Sequence, residues 1–430
     1  MKILVIGSGG REHAITWALK KTSAAPVELF CAPGNAGIAA IARCVPIGAN
    51  DAVSLIQFAR SETIDLTIVG PEAPLANGIV DQFELEGLAI AGPNQAAAKL
   101  EASKVFAKEF MVRHGVPTAA YEVASSQGEA LEFLRSGKFG SPSSPVVVKA
   151  DGLAAGKGVI VASSHLQAAF AVEQLMAGEL VEREAARQLL IEEELTGTEA
   201  SVLVFADGKD YVLMPAARDH KRIGENDTGP NTGGMGAVTD PAILDREMLA
   251  RINAQIIEPT LAGAREDGFP FRGVLFIGLM LTTGGPKVLE YNVRFGDPET
   301  QAILVRFKGD LVGIFDAVRT GKLREMRVNW TDESSACVVL ASRGYPGSYE
   351  KGLPIEGLDS SGGVENVEVF HAGTTRSNHG QFLTNGGRVL GVTATGSSLE
   401  MALDRCYDAC ETIKWAGMQY RRDIGRFREP

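Results

Sequence analysis

Glu290, Asn292 and Arg294 alternate in the run Val288-Leu-Glu-Tyr-Asn-Val-Arg-Phe-Gly-Asp-Pro-Glu-Thr-Gln301. In an extended strand alternate residues share a face, so these three point one way while Leu289, Tyr291 and Val293 point the other. Glu290 and Asn292 are hard oxygen donors of the kind that hold Mg²⁺, with phosphate and water completing its shell. Arg294 can grip a carboxylate or an acyl phosphate with both arms of its guanidinium. A polar strand face turned to solvent gives the same alternation. Here three functional types run directly into an Asp-Pro-Glu turn, which favours a site.

A second constellation lies between Val146 and Val161, where an apolar strand ends in Lys149. A loop with Gly152, Gly156, Lys157 and Gly158 follows, and then another apolar strand. This is not a Walker A loop, which needs four residues between its first glycine and Gly-Lys-Ser/Thr and then a helix. Hinging glycines, exposed N–H groups and cations are what a lid over a triphosphate requires; a glycine-rich hairpin with solvated lysines is the structural alternative. Leu190 to Glu199 ends a strand in acids, one of which could accept hydrogen bonds from a ribose while the backbone meets an adenine edge; a solvated acidic turn reads the same. The stretch Arg218-Asp-His-Lys221 to Asn231-Thr-Gly-Gly-Met-Gly236 offers charges and N–H groups to a small zwitterion or phosphate, and is equally compatible with a solvated loop. Gly7-Ser-Gly-Gly-Arg-Glu12 joins a strand to a helix, the setting of a phosphate-binding turn. The dinucleotide fingerprint nevertheless fails at its sixth position, where Glu12 replaces glycine.

The elements that must position these residues begin with β-α alternation over the first hundred positions. Strands are expected at Lys2–Ile6, Val27–Ala32, Leu66–Val69 and Leu88–Ala91, with helices at Glu12–Lys20, Asp51–Arg60 and Pro74–Gly87. That order predicts a doubly wound parallel sheet whose ligand edge carries the glycine-bearing turns. From Ser103 a helix to His114 opens a second α/β region, with Arg218–Gly236 as a long polar loop and Ile243–Glu266 as a helix. From about Asn329 short strands and a helix at Leu399–Lys414 read as a separate α+β unit. The expected domains are 1–102, 103–328 with a lid subdomain near 118–190, and 329–430.

Composition narrows the function. The 430 residues carry 53 Asp+Glu against 42 Lys+Arg, a net charge of −11, which argues against a nucleic-acid or membrane-surface binder. Glycine is in excess, at 49 residues, without a repeat to absorb it. Five scattered cysteines without a Cys-x-x-Cys pair, and an N-terminus that enters a strand at once, lead to the expectation of a soluble, reduced, cytoplasmic protein. Six dispersed histidines form no metal-ligand pattern.

Taken in chain order, the motifs resemble the ATP-grasp superfamily and, within it, the glycinamide ribonucleotide synthetase family. The resemblance runs from Gly7-Ser-Gly-Gly-Arg-Glu-His13 through Gly34-Asn-Ala-Gly37, Gly70-Pro-Glu72, Lys149 to Gly158, Asn231 to Ala237 and Arg294-Phe-Gly-Asp-Pro-Glu-Thr-Gln301, and reaches Tyr420-Arg-Arg-Asp-Ile-Gly425. It implies an α/β and α+β multidomain chain: an N-terminal parallel sheet, a central ATP-grasp domain with a mobile lid, and a small C-terminal domain. The implied reaction joins 5-phosphoribosylamine to glycine at the expense of ATP, through glycyl phosphate, in the second step of purine biosynthesis. By position, the resemblance gives ATP to Lys104, Lys149, Gly152, Gly156, Lys157, Gly158, Glu192, Glu193, Leu195 and Glu199, and Mg²⁺ or Mn²⁺ to Glu290 and Asn292. Arg294, Asp219 and Lys149 would be catalytic. Gly9, Gly10, Arg11, Asn35, Gly37, Glu72, Asp219, Lys221, Arg294 and Asp297 would receive glycine and the phosphoribosyl group. The preceding strand, Phe276 to Met280, lacks the second metal acid common in this superfamily. Competing readings are a carboxylase of the same superfamily, a nicotinamide-dependent oxidoreductase on the N-terminal sheet, and a non-catalytic nucleotide sensor. The partners implied are small molecules, and the oligomeric state stays open and compatible with a monomer.

Overall fold

The computed structural model describes residues 1–154, 157–358 and 365–427. Strand β1 (Lys2–Gly7) is covered on both faces, with Ile3 and Val5 in one core and Leu4 and Ile6 in another. A strand buried on both sides has no polar face, which is why it reads as a continuous apolar run. With β2 (Glu28–Pro33), β3 (Arg43–Cys44), β4 (Leu66–Val69) and β5 (Ile90–Ala91) it forms a five-stranded sheet of order β3-β2-β1-β4-β5. Every pairing is parallel, so the doubly wound sheet is present. Its strand order reverses between β1 and β4, the kind of switch point beyond whose strand ends such sheets bind ligands. Helix α1 (Gly10–Thr22) starts directly after β1, and α2 (Ala52–Ser61) is capped by the Asp51 side chain. The single helix expected at Pro74–Gly87 is two, α3 (Glu72–Ala76) and α4 (Ile79–Leu85), divided by Gly78 at a left-handed φ of +75°.

Helices α5 (Gln95–Ala102) and α6 (Lys104–Arg113) meet at Ser103, whose hydroxyl accepts from Phe106 N. They lead into an antiparallel sheet of β6 (Tyr121–Ala124), β7 (Val146–Ala150), β8 (Val159–Ala162) and β9 (Leu189–Glu193), in the order β6-β9-β7-β8. With α7 (Gln127–Arg135) and α8 (His165–Ala177) it closes a core of its own around Val146, Val148, Ile191 and Leu175.

The central sheet is antiparallel and ten-stranded. In chain order its first strand is β10 (Thr198–Asp207), with β11 (Tyr211–Leu213) on its flank, followed by β12 (Ala217–Asp219). The polar stretch expected as a loop contains a hairpin, β13 (Arg222–Gly224) and β14 (Thr228–Asn231), before β15 (Gly236–Thr239). The expected helix Ile243–Glu266 begins at α9 (Arg246–Ile252), widens into a π turn over Asn253–Ile257 and resumes as α10 (Glu258–Glu266). Pro259 lacks the N–H that the regular ladder needs, and the π turn absorbs the gap. Strands β16 (Arg272–Thr282) and β17 (Gly285–Asn292) form one edge of this sheet. Helices α11 (Glu299–Leu304) and α12 (Leu311–Thr320) and the short pair β18 (Phe307–Lys308) with β19 (Asn329–Trp330) follow.

The C-terminal region has its own core under the last helix, Leu399–Thr412. Its longer strands belong to the central sheet. Strand β20 (Ser334–Ser342) pairs with β15, and β21 (Val367–His371) and β24 (Arg388–Gly396) extend the central sheet beyond it, while β22 (Thr374–Arg376) pairs with β23 (Phe382–Thr384) and β25 (Met418–Gln419) with β20. No helix among the described residues is long and apolar enough to cross a membrane.

Candidate active site

The alternation read in β17 is physical. Glu290 pairs in register with Gly278 and Asn292 with Phe276, while Tyr291 is buried behind them with its hydroxyl 2.6 Å from Thr260 Oγ1. Among the described residues, nothing donates a hydrogen bond or an ion pair to the Glu290 carboxylate. Burial opposes its ionisation, but Lys221, Lys149, Lys104 and Arg294 outweigh burial and hold its pKa below the ordinary value. An ionised carboxylate among four cations, with its oxygens unclaimed, is suited to a divalent ion bridging to phosphate. Asn292 Oδ1 accepts from Arg294 Nη2 at 3.0 Å, so that oxygen would exchange its partner on binding an ion. Among the described residues no group of three His, Cys, Asp or Glu could hold a metal. The two oxygen donors, Glu290 and Asn292, fit a metal whose shell phosphate oxygens would complete.

Arg294 is gripped by acids from two other segments. Its Nη2 lies 2.7 Å from Glu101 Oε1 and its Nε 3.3 Å from Glu72 Oε2. Glu101, at the end of α5, also accepts from Val293 N at 2.8 Å and so pins the strand end that carries the arginine. Glu72 is held below its ordinary pKa by Arg294 and Arg11 against the opposing effect of burial. Arg11, Glu72, Arg294 and Glu101 thus form one chain of alternating charge between the N-terminal crevice and the central sheet.

On the lid side, Lys149 Nζ is 3.0 Å from Glu192 Oε2 and donates to Leu289 O at 3.2 Å. A second lysine, Lys108 of α6, approaches the same Glu192 oxygen at 3.1 Å and donates to Thr118 Oγ1 at 2.8 Å. Burial lowers the Lys108 pKa to about 8. Glu192 Oε1 is left buried without a partner among the described residues. Glu193 Oε1 accepts from Ala120 N at 2.9 Å and from Lys287 Nζ at 3.0 Å, so its carboxylate is committed to the sheet. Leu195 lies in the connection between β9 and β10. Lys104, at the start of α6, donates to Gly152 O at 3.1 Å and so touches the root of the glycine-rich loop. In that loop Gly158 is buried and Lys157 exposed; Gly156 lies outside the described residues.

Opposite the lid, Asp219 is pushed up to about 6 by burial, with Lys221 pulling it down and Glu199 and Glu290 pushing it up. Lys221 Nζ is 3.2 Å from Glu199 Oε2, and Glu199 is the main cause of its raised pKa. Glu299, buried at the start of α11, is raised to about 8 by burial and by Asp219.

In the N-terminal crevice the turn after β1 is already engaged. Glu12 Oε2 accepts from Gly9 N at 2.5 Å and its Oε1 lies 2.6 Å from Arg11 Nε, so the chain's own carboxylate occupies the helix start. This accounts physically for Glu12 at the sixth fingerprint position and argues against a pyrophosphate there. Asn35 is spent on architecture: Oδ1 accepts from Gly37 N and Ile38 N, and Nδ2 donates to Ser8 O and His371 O, both at 2.8 Å. Gly37 faces the His371 ring so closely that an added Cβ would lie 2.4 Å from its Cγ. Through these contacts the two positions join the N-terminal turn to β21. Gly10 abuts Gln301 Nε2, itself bonded to Asp297 Oδ1 at 2.8 Å. Asp297 Oδ2 lies 3.2 Å from Arg388 Nη2 of β24, and the same guanidinium reaches Asp297 O at 2.7 Å. Glu101, Lys108 and Arg388 were absent from the sequence reading. A glutamate inside the Ala-rich α5 and a lysine inside the apolar face of α6 were the available signals; Arg388 had none.

Comparison with known proteins places the chain in context. Three successive domain models described as phosphoribosylglycinamide synthetase match it: the N domain over 1–101, the ATP-grasp (A) domain over 102–300 and the C domain over 335–427. The phosphoribosylamine–glycine ligase of Brucella melitensis is 45% identical over 427 residues, which is 99% of this chain and 97% of that one. Its counterpart from Rhodopirellula baltica is 47% identical over 425 residues, 98% and 96% of the two chains. The crystal structure of phosphoribosylamine–glycine ligase from Thermotoga maritima superposes with a TM-score of 0.82 at 35% identity, covering 98% of this chain and all 100% of the other. The biotin carboxylase domain of a Hydrogenobacter thermophilus 2-oxoglutarate carboxylase shares the fold alone, at 17% identity and a TM-score of 0.72 over 97% of this chain and 91% of that one.

Proposed function

The chain belongs to the phosphoribosylglycinamide synthetase family, and from that membership we propose how its residues join 5-phosphoribosylamine to glycine. It is an ATP-grasp ligase that forms a carbon–nitrogen bond in the second step of purine biosynthesis. In our reading ATP lies between the lid sheet and β17. Lys104, Lys149 and Lys157 meet its phosphates and the Gly152–Gly158 loop covers them. The base lies beside Glu192 and the backbone of Glu193 and Leu195, with the free Glu192 Oε1 as an acceptor for a base N–H. Glu199 takes the ribose hydroxyls. Glu290 and Asn292 would hold Mg²⁺ or Mn²⁺, which neutralises phosphate charge when bound.

Arg294 receives the glycine carboxylate and Asp219 its ammonium group. A carboxylate oxygen of glycine displaces ADP from the γ-phosphorus, giving glycyl phosphate. The phosphoribosylamine nitrogen then attacks the carbonyl carbon, phosphate departs and the nitrogen gives up a proton. Gly9, Gly10, Arg11, Glu72 and Asp297 border the phosphoribosyl moiety. Catalysis consists of positioning and charge neutralisation. We place the reaction in the cytoplasm, a reducing setting that suits five free thiols.

The observation that carries these assignments is the ionised Glu290 amid Lys104, Lys149, Lys221 and Arg294, its carboxylate without a hydrogen-bond or ion-pair partner among the described residues. Titrating the protein with Mn²⁺ in the presence of ATP, and repeating it on Glu290→Ala, tests the metal assignment. Binding that is as tight in the variant as in the parent would remove it.

A further inference from the structure

The terminal motif Tyr420–Gly425 has no part in the chemistry so far, yet it runs against the strand that carries Asp219. Alternation along Arg218-Asp219-His220-Lys221 puts Asp219 and Lys221 on the side of the reacting groups and turns Arg218 and His220 the other way. On that reverse side the Phe427 ring lies between them. The Arg218 Cζ is 3.6 Å from the ring centroid, and the His220 ring is stacked on it at 4.4 Å with an interplanar angle of 11°. Gly425 N donates to His220 Nε2 at 3.0 Å.

The tail that delivers this ring is anchored independently. The Arg421 side chain is fully buried and bonded to Asp227 Oδ1 at 2.7 Å, to Asp423 Oδ1 at 2.8 Å and to Arg222 O at 3.0 Å. Ile424 sits in the C-terminal core at 1% exposure. Phe427 lies beyond these anchors, so removing its ring leaves the tail attached. What it removes is the plane against which the two neighbours of Asp219 are stacked.

We infer that Phe427 is a positioning residue of the ligase, whose ring, clamped between Arg218 and His220, holds the backbone that presents Asp219 to glycine. The inference rests on the assignment of Asp219 to glycine. An aromatic ring offers this clamp a flat face for both a guanidinium and an imidazole; an aliphatic side chain fills the space without the face.

Steady-state kinetics on the full chain test it with Phe427→Ala, Phe427→Leu and Phe427→Tyr. The Ala and Leu variants are expected to raise KM for glycine about tenfold and to leave KM for ATP within about twofold of the parent. Their melting temperature stays at that of the parent, and Phe427→Tyr restores the parental KM for glycine. An unchanged KM for glycine in both Ala and Leu variants overturns the inference. So does a joint rise of all three KM values with a lower melting temperature, the signature of a merely structural ring. Asp219→Asn, assayed alongside, separates the two levels: full glycine-dependent turnover there defeats the assignment of Asp219 itself.

Discussion

Single side chains in this site are defined by what already holds them. Among the described residues Glu290 keeps its oxygens unclaimed, whereas Arg294 is bound on two sides by Glu72 and Glu101. The two residues should therefore respond differently to mutation. Glu290→Ala is expected to lower turnover by roughly 10²- to 10³-fold with an unchanged urea midpoint, since it removes charge placed for phosphate transfer rather than a packing contact. Arg294→Ala leaves Glu101 buried without its cation, and costs about 3 kcal/mol of stability or more as well as activity. Equal stability loss in the two variants contradicts the account. The shared face of Glu290 and Asn292 was legible in the sequence because strand period sets it, and Arg294 follows just past the strand's end. Glu101 and Arg388 were not, because each meets its partner across a turn of the fold that local spacing does not encode.

At the level of elements, β1 and its following turn were readable from an apolar run broken by glycines. Asn35 and Gly37 were readable as special positions, but their packing partners were not. Both belong to the seam between the N-terminal turn and β21, and the close approach of Gly37 to the His371 ring shows only when strands some three hundred residues apart are brought together. Gly37→Ala is expected to cost about 1–3 kcal/mol by overpacking this seam. His371→Ala in the same chain should recover more than half of that loss. A double-mutant cycle in urea measures the coupling, and additive effects would show that the ring is not what the added methyl meets. The long polar stretch before Gly236 was misread as loop because its hairpin is built from polar residues whose partners, including Arg421 and Asp423, come from the far end of the chain.

The whole molecule ties its first helix to its last sheet strands through buried neutral histidines. His371 N donates to His13 Nδ1 at 2.8 Å, and burial, with His371 nearby, lowers the His13 pKa from 6.5 to about 3. A depressed folded pKa means that the unfolded chain binds the extra proton, so this contribution is whole above pH 6.5 and is lost as the pH falls toward 3. Glu299 and Asp219 shift the opposite way and blur the profile of the parent protein, but they cancel in a comparison. The stability advantage of the parent over His13→Asn should shrink by up to about 2 kcal/mol between pH 6.5 and 5. An advantage that stays constant over that range contradicts a neutral His13.

The central claim is that the crevice and the lid together serve one ligation, with glycine activated between Arg294 and Asp219. Its most direct measurement is ADP release by the full chain with ATP and phosphoribosylamine, assayed without glycine, with glycine, with other amino acids and with bicarbonate. Release is expected to depend on both glycine and phosphoribosylamine, with background rates for the other acids. Release that is as fast without glycine, or that follows bicarbonate instead, would contradict the claim.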